Sequence, residues 1–156
     1  MGWPYPVGVQ QDVPPSVVSA AGWSICYQDV YADSIQKALP QIKAACSGQN
    51  LMLACKHSAA QNYQVLAAAP RVDVFTDTGP VNGQTHLANG AQWYYNNDWA
   101  WGFAPVGVPV WQMQCDINQG ANRMCWLIIN QSGGWRCGDS LGLNNATDWQ
   151  RFIFQK

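Results

Sequence analysis

The chain has 156 residues, enough for one domain that buries roughly two-thirds of its unfolded surface without a second domain or a metal to hold it. Charged residues make up only 11%, the net charge is -1, and all nine acids are Asp, so the clustered Lys and Arg that bind phosphate are missing and nucleic acid is excluded as a partner. No run approaches the ~18 apolar residues of a membrane span, and neither a cofactor nor a metal motif is present.

The first 21 residues form an extended arm. Pro4, Pro6, Pro14 and Pro15 rule out helix there and give polyproline character, with Trp3 and Tyr5 as the natural anchors on the body of the protein or on a neighbouring copy. The globular domain then runs from 22 to 156. Val17 to Tyr27 reads as one or two strands broken at Gly22. One helix is expected over about 34–46, capped by Asp33-Ser34, with Ile35, Leu39, Ile42 and Cys46 at helical spacing and Pro40 expected to kink it or end its first half. LMLAC (51–55), Tyr63 to Ala69 and Val72 to Phe75 read as strands, followed by the turn chemistry of Asp77-Thr-Gly-Pro and Val81-Asn-Gly-Gln.

The stretch from Asn89 to Val110 is the most unusual. It carries Trp93, Tyr94, Tyr95, Trp99, Trp101 and Phe103 with Asn96, Asn97 and Asp98 among them. Read with a period of two, Trp99, Trp101 and Phe103 share a face backed only by Ala100 and Gly102, which lets another layer approach closely. Val108 to Cys115 and Arg123 to Ile129 read as further strands, and Ser132-Gly-Gly as a hairpin turn. The end, DWQRFIFQK, carries aromatics on both faces, as a terminal strand inserted within a sheet would. The sum is an α+β, β-dominated fold: antiparallel sheet with one packed helix, stabilised by disulfides.

Six cysteines, Cys26, Cys46, Cys55, Cys115, Cys125 and Cys137, have no CxxC and no Cys/His ligand spacing, so three disulfides and an oxidising, extracellular location are expected rather than zinc. Local pairing would join Cys46 to Cys55 and two of Cys115, Cys125 and Cys137 to each other, leaving Cys26 the long-range bridge. Two sequons, Asn130-Gln-Ser132 and Asn145-Ala-Thr147, agree with export.

The segments GWSICYQDVYADS, LMLACKHSAAQNYQVLAAAPRVDV, HLANGAQWYY, WAWGFAPVGVPV, RMCWLI, GGWRCG and DWQRFIF resemble the small exported cysteine- and tryptophan-rich domains of modular extracellular proteins, from about Gly22 to Gln155. That resemblance implies export and disulfides and carries no site residues.

Candidate chemistry is sparse. His57, His86 and the Asp residues 29, 73, 77, 98, 116, 139 and 148 form no catalytic signature, and the Asp73–Asp77 and Asn96–Asp98 loops hold too few oxygens for calcium. Aromatic rings with planar amides and little charge suit a sugar, whose C–H face stacks on a ring while its hydroxyls bond to amides. The expected ligand-binding set is therefore Trp93, Tyr95, Asn97, Asp98, Trp99 and Trp101, led by Trp93, Trp99 and Asn97, with Trp111 and Trp135 in reserve. The leading expectation is a noncatalytic extracellular recognition or adhesion module for glycan. A structural subunit that self-assembles through the arm is the alternative, and an Asp-dependent hydrolase the third reading.

Overall fold

The computed structural model describes residues 6–129 and 134–156, so Trp3, Tyr5, the first sequon and the Ser132-Gly-Gly turn lie wholly or partly outside the described residues. In chain order the elements are β1 (Gln10–Val13), α1 (Pro15–Ala20), β2 (Ser24–Val30), α2 (Ile35–Ala45), β3 (Asn50–His57), β4 (Tyr63–Pro70), α3 (Arg71–Val74), β5 (His86–Ala88), β6 (Ala91–Tyr95), β7 (Ala100–Pro105), β8 (Met124–Leu127), β9 (Arg136–Cys137) and β10 (Trp149–Gln155). The strands make two five-stranded antiparallel sheets, one in the order β1-β4-β3-β10-β2 and the other a meander from β5 to β9.

β10 is an interior strand of the first sheet, between β3 and the edge strand β2, with Phe152 opposite Gln28 on one side and Ala54 on the other. Its alternation explains its place. Ile153 enters the core shared with the second sheet, while Phe152 and Phe154 point to the far face, where Val18 of α1 and Trp23 cover them together with Met52 and Leu66. A sheet buried on both faces needs continuous apolar strands, and LMLAC and VLAAA supply them in β3 and β4. The shared core joins Ile35, Leu39 and Ile42 of α2 to Leu51, Leu53 and Val65 of the first sheet and Trp93, Trp101, Phe103 and Trp126 of the second.

Four expectations change. The segment before Gly22 is stitched into the domain from Gln10 onward, because β1 pairs with β4 as an edge strand. Pro15 does not prevent helix there: it occupies the first turn of α1, where a missing N–H costs nothing. Residues 72–75 are not a strand. Pro70 ends the ladder and Arg71 turns back to donate to the carbonyls of Cys46 (2.8 Å) and Lys43 (3.0 Å), satisfying the last turn of α2. Residues 108–115 form no strand either but a short 3-10 turn, Gln112–Gln114, followed by Cys115 and Asp116 at positive φ. The Gln112 carboxamide is buried and bonds the backbone of Gly83 (3.1 Å) and Gln84 (2.5 Å), which holds the chain off any ladder.

The helix α2 begins where the sequence placed it, with the Ser34 hydroxyl accepting from the Lys37 N–H at 3.2 Å. It runs unbroken through Pro40, which lies on the exposed side, where a carbonyl that loses its donor can be hydrated.

All six cysteines are paired, as Cys26–Cys46, Cys55–Cys137 and Cys115–Cys125. The local Cys115–Cys125 link follows the spacing; the other two differ from expectation. Cys46 closes the end of α2 onto β2, and the long-range bridge belongs to Cys55, which ties β3 of one sheet to β9 of the other. Neither partner was legible in the spacing, because a strand and a helix end are brought together by the sheet order and not by the length between them.

Candidate functional site: a tryptophan cleft on the outer face of the second sheet

The aromatic stretch forms a hairpin, β6 and β7, joined by Asn96–Trp99, where Asn96 Oδ1 accepts from the Asp98 N–H at 3.0 Å. Trp93, Tyr95 and Trp101 are buried at 0%, 4% and 0% exposure, so these three expected ligand contacts are core residues. Their polar atoms are occupied: the Trp93 indole donates to Ala88 O (3.2 Å), the Trp101 indole to Val74 O (3.1 Å), and the Tyr95 hydroxyl to Asn97 Oδ1. The sheet face opposite them is thin, as expected, but what lies over Gly102 is Tyr94 from the paired strand. The Tyr94 hydroxyl donates to Met124 O at 3.0 Å, and a Cβ at Gly102 would lie 2.6 Å from that hydroxyl.

Asn97 and Asp98 are exposed and face α2, where Lys43 Nζ donates to Asn97 Oδ1 at 3.1 Å and sits over the rings of Tyr95 and Phe75. Trp99 goes elsewhere. It belongs to the turn, not to β7, so the period of two does not reach it: Trp101 and Phe103 pack inward while Trp99 packs on the outer face with Tyr94, Val110 and Cys125. The six expected contacts are thus divided among the core, the α2 edge and the outer face.

On that outer face Trp99 lines a cleft of about 270 Å³ with Met113, Gln114, Cys115, Leu127, Ile129, Trp135 and Asn144. Each wall has a local cause. The Trp99 carbonyl accepts from both Ile128 and Ile129 N–H (2.8 and 3.0 Å), docking the hairpin turn on the end of β8. Met113 and Gln114 project from the 3-10 turn, held by the Asn82 side chain, which accepts from Met113 N–H (2.9 Å) and donates to Gln114 Oε1 (3.2 Å). The Cys115–Cys125 bridge fastens that turn to β8. Asn144 lies in a second 3-10 turn, Leu143–Asn145, entered through Gly142 at φ 71° and tied to Trp135 by Leu143 N–H donating to Trp135 O at 3.0 Å. Beside the cleft Trp111 and Met113 are 47% and 42% exposed, an apolar rim.

The indole N–H of Trp99, that of Trp135 and the carboxamide oxygen of Asn144 are all buried and, among the described residues, have no hydrogen-bond partner. All three belong to residues lining this one cleft. The contrast with the core is sharp, because Trp93, Trp101 and Trp126 each find an acceptor, the last in the Tyr31 hydroxyl at 3.2 Å. A buried polar group left unpaired costs about 1–3 kcal/mol, so three around one small volume are a standing demand for a partner. Trp135 belongs to the reserve of the expected aromatic set, whereas Met113, Leu127, Ile129 and Asn144 carry no signal in the sequence, since only the two 3-10 turns and the end of β8 bring them together.

The titratable candidates close loops. His57 Nδ1 accepts from the Ala59 N–H (3.0 Å), which leaves Nε2 to donate to Asp148 (3.0 Å) and links the ends of β3 and β10. His86 bonds Asp73 at 2.6 Å. Hydrogen bonding to the neighbouring Asp29 carboxylate, and its charge, push the Asp33 carboxyl above its usual range. Asp116 pairs with Arg123 at 2.7 Å in the interior, and the Arg136 guanidinium is ringed by the carbonyls of Asp116, Asn118, Gly120 and Gly138, which shapes the 115–123 loop. Among the described residues no group of His, Cys or acidic side chains has the arrangement of a metal site.

The fold and the cleft define a small disulfide-bonded domain of two antiparallel sheets with an aromatic cavity on its outer surface. No helix among the described residues is long and apolar enough to cross a membrane. Comparison with known proteins adds nothing further: no protein family, curated protein or solved structure matches the chain.

Proposed function

We propose that this domain is a noncatalytic extracellular recognition module and that the Trp99–Trp135 cleft is its ligand site, with carbohydrate as the ligand. The observation that carries the reading is the set of three unpaired buried polar atoms around one aromatic cleft. The cleft is uncharged, small and walled by indole, thioether, disulfide and aliphatic groups with the carboxamides of Gln114 and Asn144, which suits a single sugar ring, and 270 Å³ falls just below the ~300–1,000 Å³ typical of ligand pockets. Three disulfides support an oxidising compartment, and the exposed Asn145 and Thr147 leave the second sequon open to glycosylation.

Self-assembly through the N-terminal arm has less support, because residues 10–13 are already paired with the chain's own β4. The test is binding to a glycan array by the wild-type chain and by Met113→Arg, which places a bulky charge at the exposed mouth of the cleft. Retention of defined saccharides by the wild type and their loss in the variant is expected. An array without a bound glycan, or a variant that binds as the wild type does, would refute the proposal.

A further inference from the structure

Resting on that reading, the geometry points to an N-acetylated amino sugar, held by its acetamido group, as the ligand of the Trp99–Trp135 cleft. The inference follows from donor and acceptor arithmetic. The cleft residues offer two unpaired N–H donors, on Trp99 and Trp135, and one unpaired acceptor, Asn144 Oδ1. A secondary amide is the complement of that set: its carbonyl oxygen has two lone pairs for the two indoles and its N–H donates to Asn144.

A sugar hydroxyl carries the same count of one donor and two acceptor pairs, so the polar atoms alone do not choose between them. The remaining wall does. Apart from Gln114, whose Oε1 already accepts from Asn82, that wall is Cys115 of a disulfide with Met113, Leu127 and Ile129, and a further hydroxyl directed at these last three would be stripped of water without return. The acetamido methyl fills that place at no such cost. Charge selects in the same direction, since neither a carboxylate nor an ammonium group lines the cleft to compensate an acidic sugar or a free amino sugar.

The three polar atoms are sealed from solvent in the free protein. Binding therefore includes side-chain rotations that bring the Trp99 and Trp135 indoles and the Asn144 amide to the ligand, and the tryptophan emission reports them.

The experiment is a fluorescence titration of the full chain with N-acetylglucosamine and N-acetylgalactosamine, with glucose, glucosamine and Nε-acetyl-lysine as comparison probes. An emission shift with either N-acetyl sugar, with glucose and glucosamine at least about 10-fold weaker, supports the inference. Trp135→Phe keeps an aromatic ring and removes the donor, and Asn144→Leu keeps the shape and removes the acceptor; each is expected to weaken the N-acetyl sugar by about 10-fold. Should Asn144→Leu fail to fold, Trp99→Phe serves in its place. Equal response to glucose overturns the acetamido assignment and leaves the recognition reading standing. Acetyl-lysine binding as tightly as the sugars overturns the sugar, and silence toward every probe overturns the inference whatever the glycan array shows.

Discussion

Removing the Cys55–Cys137 bridge should destabilise the domain more than removing either of the other two. It joins one sheet to the other across 82 residues of sequence, against 20 for Cys26–Cys46 and 10 for Cys115–Cys125. The entropy that a cross-link removes from the unfolded chain grows with the logarithm of the loop, which gives about 4.5, 3.3 and 2.7 kcal/mol respectively at 25 °C. The Cys115–Cys125 loop is nested within the longest one and shortens it by only about a tenth, which alters the first figure by about 0.1 kcal/mol. Cys55, Cys137, Cys115 and Cys125 are all buried, so the cavity left by replacing each pair with alanine is matched between the two double variants of interest, Cys55→Ala/Cys137→Ala and Cys115→Ala/Cys125→Ala. Urea unfolding followed by tryptophan emission is the assay. With a slope of about 2 kcal/mol per molar, the midpoint should fall by about 2 M for the first pair and by about 1.3 M for the second. A larger fall for the Cys115–Cys125 pair would refute the reasoning and show that the sheets are held together by their shared core without need of the bridge.

Gly102→Ala should cost about 2–4 kcal/mol, because the new methyl overlaps Met124 O and displaces the Tyr94 hydroxyl from its bond; chemical denaturation measures it, and a loss under 1 kcal/mol would count against the packing described. Arg123→Met leaves Asp116 buried without its cation and should cost about 3–5 kcal/mol by the same measurement. Burial pushes the Tyr31 and Tyr94 phenols above their ordinary range, so the unfolded chain loses these protons near pH 10 while the folded chain keeps them. Stability contributed by each is intact below pH 10 and falls above it by about 1.4 kcal/mol per pH unit. Absorbance at ~295 nm should therefore show these two tyrosines ionising only as the protein unfolds, and a smooth titration in the folded state would contradict their burial.

What could be read in advance was whatever local periodicity controls. The helix from Ile35 to Ala45 announces itself by spacing and by its Ser34 cap, and the two-sided apolar strands β3, β4 and β10 by their composition. The helix α1 was hidden because proline reads as a helix breaker unless its position within the first turn is known. The site was harder still. Trp99 stands two residues from Trp101 yet faces the other way, since the strand begins only at Ala100, and Asn144 reaches the same cleft from a turn 45 residues further along the chain. Burial of Trp93, Tyr95 and Trp101 shows the general difficulty: an indole that forms a core and one that lines a cavity look alike until the partner of each N–H is known.

The interior place of Trp149–Gln155, between β3 and β2, constrains the order in which the sheet can form. Until the ribosome has added these residues, β2 and β3 have a gap between them the width of one strand, and both of their facing edges stay open. The first sheet can therefore close only once this segment is available, and until then one edge of the apolar β3 stays open to pairing with another chain.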